Sequence, residues 1–164
     1  GRTAQPKHKT VKVISAMPRD NQQEQPEIVK EIITTIQNSK EGFKSYPIRH
    51  MINHAEKFGE FLEKQHLKTN QIRKFLDAVN QIKAEFTQDA VFSQDVAFSK
   101  IEVDVVLLKP KLAYASARQS SVKELSNVLS IAIDHVHDPE DFDRFVQFLE
   151  ATIAYHRAAG GKQS

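Results

Sequence analysis

Lys111, Tyr114 and Arg118 recur at a spacing that places them within about 60° of one another on a helix turning 100° per residue. Two cations and an aromatic on one stripe can lie along a polynucleotide, the cations pairing with phosphates and the ring packing on a sugar or base. Arg73 and Lys74 add two more cations one turn into another helical segment, near the end whose free amides favour anions. The same residues also read as solvent-facing cations, with Arg73 paired to Asp77 four residues on and Tyr114 serving as packing. Catalytic chemistry has less to draw on. The chain carries no GxxxxGK[ST] loop, GxGxxG, GxSxG or HExxH, so no catalytic residue, metal site or cofactor is expected. His50 and His54 lie four apart, and Asp134, His135, His137 and Asp138 cluster, but the pair lacks the Glu of a metalloprotease helix. These groups read instead as solvated histidines and a helix cap, and His156, on an apolar stripe, as a packed histidine.

The elements that must position these side chains follow from apolar periodicity. Residues 1–25 mix Lys, Gln, Asn and Pro without helical spacing and read as a flexible, extended basic arm, with a short strand over Thr10 to Ile14. From Pro26, Ile28, Ile32 and Ile36 predict a helix that ends before Gly42. Pro47 opens a second, with Ile48, Met51, Ile52, Ala55, Phe58 and Leu62 on one stripe. Thr69 is the expected N-cap of a third, running to about Asp89 on the stripe Ile72, Phe75, Leu76, Val79, Ile82 and Phe86.

The segment from Lys100 to Arg118 is apolar on most sides, because Val106, Leu107 and Ala113 add to the stripe of Ile101, Val105, Leu108, Leu112 and Ala115. Such a helix is expected in the middle of its bundle, with Pro110 imposing a kink or a boundary. The β-branched run at Val103 to Val106 finds no second strand to pair with, so it is read as helix. Ser121 and Glu124 form a capping box for a fifth helix, and Asp138, Pro139 and Asp141 open the last, which Gly160 and Gly161 stop. The sum is all-α: a compact bundle of about five to six helices over residues 26–164, forming one domain behind the basic arm of residues 1–25.

Composition narrows the class further. The chain has 164 residues, enough for one core, and no run near the roughly 20 apolar residues a membrane span needs. It has no cysteine and no apolar leader-like run, so a cytoplasmic protein without membrane contact is expected, and the opening Gly1 reads as trimming. The net charge of +2 is unevenly spread. Residues 1–25 hold five cations against two acids, while the rest carries 18 basic and 19 acidic side chains. Binding to phosphate must therefore come from a local arrangement and not from bulk charge.

The runs LKTNQIRKFLDAVNQI (Leu67 to Ile82), LLKPKLAYASAR (Leu107 to Arg118) and FVQFLEATIAYHRAAGGK (Phe145 to Lys162) resemble, in order and spacing, the small subunit of type III-A (Csm) CRISPR interference complexes. The likeness spans about residues 46–162 and leaves 1–45 as an extension. It implies a helical subunit without an active site, several copies of which line up beside the backbone subunits that hold the guide RNA. In that family basic side chains face the groove where target RNA pairs with the guide, and neighbouring subunits do the cutting. By position, the resemblance nominates Arg73, Lys74, Lys109, Lys111, Arg118 and Arg157 for phosphate contact. Relatives often have Gly before the central arginine, where this chain has Ala117, a residue that favours a more regular helix.

A subunit that leaves sequence reading to base pairing should grip phosphates. The expected partners are then target and guide RNA, backbone and large subunits, and further copies of the chain. From Gln119 onward four basic residues face seven acidic ones, so head-to-tail association of a positive region with a negative one would extend a filament. The competing reading is a helical adaptor or scaffold that binds only protein, its apolar stripes forming a dimer.

Overall fold

The computed structural model describes residues 25–160, which fold into helices joined by short turns, with no strand among them. The arm, its expected strand at Thr10 to Ile14, and Gly161 lie outside the described residues. Seven α-helices follow one another: α1 (Glu27–Asn38), α2 (Ile48–Lys64), α3 (Thr69–Asp89), α4 (Gln94–Val106), α5 (Leu108–Arg118), α6 (Lys123–Ile133) and α7 (Pro139–Ala158). Single 3₁₀ turns at Phe43–Ser45 and Ser120–Val122 join α1 to α2 and α5 to α6. The all-α bundle is as expected, with the predicted fourth helix divided in two.

The bundle is organised on α7, whose longest contact is with α2. Phe142, Phe145, Val146, Phe148 and Leu149 are all buried on it. Gly59 of α2 makes that contact close: a Cβ there would lie 2.6 Å from the His156 amide nitrogen and 2.8 Å from the Thr152 carbonyl, both backbone atoms. Above this seam Phe43 meets Tyr46, Phe145 and Phe148 with ring centroids 5.5–6.1 Å apart, edge to face.

Asp141 proves to be more than a helix-start acid. Only 1 % exposed, it accepts the amide N–H groups of His137 (2.9 Å) and of Lys44 (2.8 Å), tying the Phe43 turn to the start of α7. Gly42, at φ 110°, must be glycine twice over, since a Cβ would also strike the Asp141 carboxylate. Asp138 caps α7 as predicted, accepting the Asp141 N–H at 2.8 Å.

The end of α2 aims the chain at the site. His66, at φ 66°, takes the left-handed conformation of a Schellman cap, and the Leu67 amide reaches back to the Leu62 carbonyl. Leu67 is thereby buried, and its carbonyl accepts the His156 Nε2–H at 2.6 Å. His156 is thus the packed histidine that its stripe implied.

Five expectations are corrected. The segment 100–118 is not central. Val103, Val106 and Leu107 are half exposed or more, because α4 packs chiefly on α3 through one face and no other described element covers the opposite one. The break falls at Leu107, leaving Pro110 in the first turn of α5, where a missing N–H costs no helical hydrogen bond. Thr69 does not cap α3. It is the first helical residue and is fully buried, with Lys68 at the cap position. Ser121 and Glu124 form no capping box, since the 3₁₀ turn puts Val122 at the cap and Glu124 instead accepts from Asn127 Nδ2 at 3.2 Å. His54 is not solvated: it is buried, with Nδ1 2.6 Å from the Tyr46 hydroxyl. Burial lowers its pKa, only partly offset by Glu31 and reinforced by His50 and Lys57.

Candidate nucleic-acid interface

Helices α3 and α5 are neighbours whose backbones do not pack closely, and the space between them is a pocket of about 320 Å³ that opens to solvent. On α3, Gln71, Lys74, Phe75 and Ala78 face it at i, i+3, i+4, i+7. On α5, Lys111, Tyr114, Ala115 and Arg118 repeat the same spacing from the opposite wall, with Leu112 beside them. Leu67, placed by the α2 cap, closes the floor with Val122 and Leu125 beneath the 3₁₀ turn.

Four of the seven predicted site residues thus converge: Lys74, Lys111, Tyr114 and Arg118. Ala117 permits unbroken helix up to Arg118, which fixes its register with Tyr114. The Arg118 guanidinium lies 5.6 Å from the Tyr114 ring centroid, and its Nη1 donates to the Tyr114 hydroxyl at 3.3 Å. Tyr114 is 66 % exposed, so it is not the packing residue of the alternative reading. The lining includes no carboxylate. Among the described residues, Lys74, Lys111 and Arg118 make no ion pair.

The other three stand apart. Lys109 turns to Asp134 at the end of α6, with which it forms a direct ion pair. Arg73 is exposed but turned a helical step away from the lining, and it makes no ion pair with Asp77. Arg157 is exposed in the last turn of α7, outside the pocket.

The sequence reasoning missed the apolar floor, because Phe75 and Leu112 carry the same spacing as core residues. It also missed Gln71, although its place one turn before Lys74 on the same face was a usable signal. The histidine and acid clusters are absorbed by structure. His135 Nδ1 bonds the Ile131 carbonyl at 3.0 Å, and Asp138 pairs with Lys44 Nζ at 2.7 Å. Burial works to raise the Asp138 pKa, but the hydrogen bonds from Lys44 and from the Asp141 amide outweigh it and depress the carboxyl. Among the described residues no three His, Cys, Asp or Glu side chains come together in a metal-holding group, and no helix is long and apolar enough to cross a membrane.

The sequence profile of the family described as Csm2 Type III-A matches residues 45–162. A curated relative, the "CRISPR system Cms protein Csm2" of Streptococcus thermophilus, is 30 % identical over 118 residues, which is 68 % of this chain and 92 % of the relative. No solved structure matches.

Proposed function

This chain belongs to the Csm2 family, the small subunits of type III-A CRISPR effector complexes, and from that premise we propose that it grips target RNA through sequence-independent phosphate contacts. One observation carries the reading: Lys74, Lys111 and Arg118, from two separate helices, surround one groove that no carboxylate lines. Cations drawn together without counter-charge repel one another, and a polyanion relieves that cost by bringing phosphates to all three. Because the contacts are to phosphate, they position the strand and leave sequence to the guide. The subunit works without catalysing cleavage, in the cytoplasm, beside the guide RNA and the backbone and large subunits.

The same chain lines up with further copies of itself. Phe92, Val96, Val103, Val106 and Leu107 form an exposed apolar stripe from the α3–α4 turn along α4, interrupted by Ser99 and Lys100, with Phe92 92 % exposed. Exposed Asp95, Glu102 and Asp104 edge the stripe, while the unpaired cations lie on α3 and α5. A negative, apolar face on one copy and a positive face on the next suit head-to-tail contact.

The test is binding of the purified chain to two labelled RNAs of unrelated sequence, together with recovery of the native complex on the tagged chain. Equal, salt-sensitive affinity for both strands, with guide RNA in the recovered complex, is the expected result. A protein-only adaptor, the reading that the exposed stripe alone would favour, would form salt-insensitive dimers and shift neither RNA.

A further inference from the structure

The three cations stand at the rim of a hole, and a phosphate contact needs no hole. A sugar–phosphate backbone held by Lys74, Lys111 and Arg118 would leave Phe75, Leu112, Val122 and Leu125 of the floor unused and wet. The volume of about 320 Å³ falls at the lower end of the range that encloses small ligands, about 300–1,000 Å³. The occupant that suits an apolar floor and a rim of three cations is a flat, apolar-faced body joined directly to phosphates, which is the chemistry of a nucleotide. Tyr114 stands exposed at the mouth, with the Arg118 guanidinium against it, giving a surface on which such a body stacks as it enters.

We propose that the groove between α3 and α5 receives one unpaired base of the bound RNA, turned out of the stack, while the phosphates on either side rest on Lys74, Lys111 and Arg118. The proposal rests on the RNA-binding reading and adds an occupant for the pocket. The polar groups beside the floor tolerate any base. Gln71 Oε1 accepts the Lys68 amide at 3.3 Å, which leaves its amide nitrogen as a donor, and the Gln119 side chain offers both a donor and an acceptor. The described lining holds no carboxylate to single out an amino-bearing base edge, and its three cations are taken up by the flanking phosphates.

The experiment compares the full chain's affinity for a short labelled RNA with its affinity for the same strand carrying abasic riboses. Stacking of one base on an aromatic surface corresponds to a preference of at least about fivefold for the base-bearing strand. Ala115→Met and Ala78→Met fill the pocket from its two walls without replacing a cation. Each is expected to erase that preference while keeping the affinity for the abasic strand. Equal wild-type binding to both strands overturns the base pocket and leaves the phosphate reading standing, as does a preference that survives in both filled variants. Binding of neither strand overturns both readings. A free nucleoside monophosphate identifies the source: competition only at millimolar levels is expected for a base delivered by a strand, and competition at submicromolar levels overturns it.

Discussion

Replacing Lys74, Lys111 and Arg118 together by Ala should flatten the salt dependence of RNA binding by an amount the groove itself sets. Each phosphate neutralised on a single strand contributes about 0.7 to the slope of log affinity against log salt. The three unpaired cations at the rim therefore account for a slope of about 2. Between 50 and 200 mM salt that is about a 20-fold loss of affinity in the wild type, and the triple variant should lose this component. The side chains are at the surface of α3 and α5, so helicity should be unchanged by circular dichroism. Fluorescence anisotropy titrations of a labelled RNA at several salt concentrations read the slope directly. Lys109→Ala is the internal control. Its ammonium is held by Asp134, so the slope should stay close to the wild-type value. A triple variant that keeps the full slope, or a Lys109→Ala variant that loses as much as the groove residues, would refute the assignment.

Three further outcomes test the fold and the assembly. Gly59→Ala should lower stability by about 2–3 kcal/mol in urea unfolding, the upper part of the range for overpacking, because the obstructing atoms belong to the α7 backbone and cannot rotate aside. Unfolding free energy should fall as pH drops below 6.5, since the unfolded chain protonates His54 at its ordinary value while burial holds the folded pKa lower. His54→Gln should make that part of the pH profile shallower, and an unaltered profile would count against the buried neutral imidazole. Phe92→Asp with Val103→Asp should leave the unfolding free energy within about 0.5 kcal/mol of wild type, because neither side chain is buried. The same pair should abolish self-association in sedimentation velocity, and persistent oligomers would move the interface elsewhere.

Where helices begin and which face is buried was legible wherever one local rule acted alone. Asp138 and Pro139 start α7 as read, and α2 buries the stripe that its spacing announces, apart from the exposed Ile48 at its first turn. Capping failed where a neighbouring constraint competed: burial drew Thr69 inside the helix, and a 3₁₀ turn displaced Ser121. The apolar character of α4 was visible, but its exposure was not. Periodicity reports that a side chain is greasy and says nothing of whether another element arrives to cover it.

The amino-acid order by itself determined an all-α chain, the stripe of Lys111, Tyr114 and Arg118, and the likeness to a family of small CRISPR subunits, because each depends on residues near one another along the chain. Tertiary structure alone decided which cations stand together. Lys74 meets Lys111 and Arg118 across a groove, whereas Lys109, two residues from Lys111, is turned to Asp134 on the far side of α5. Adjacent helical residues diverge by about 100°, so closeness in sequence separates these side chains. Only the splay of α3 from α5 brings the distant ones together.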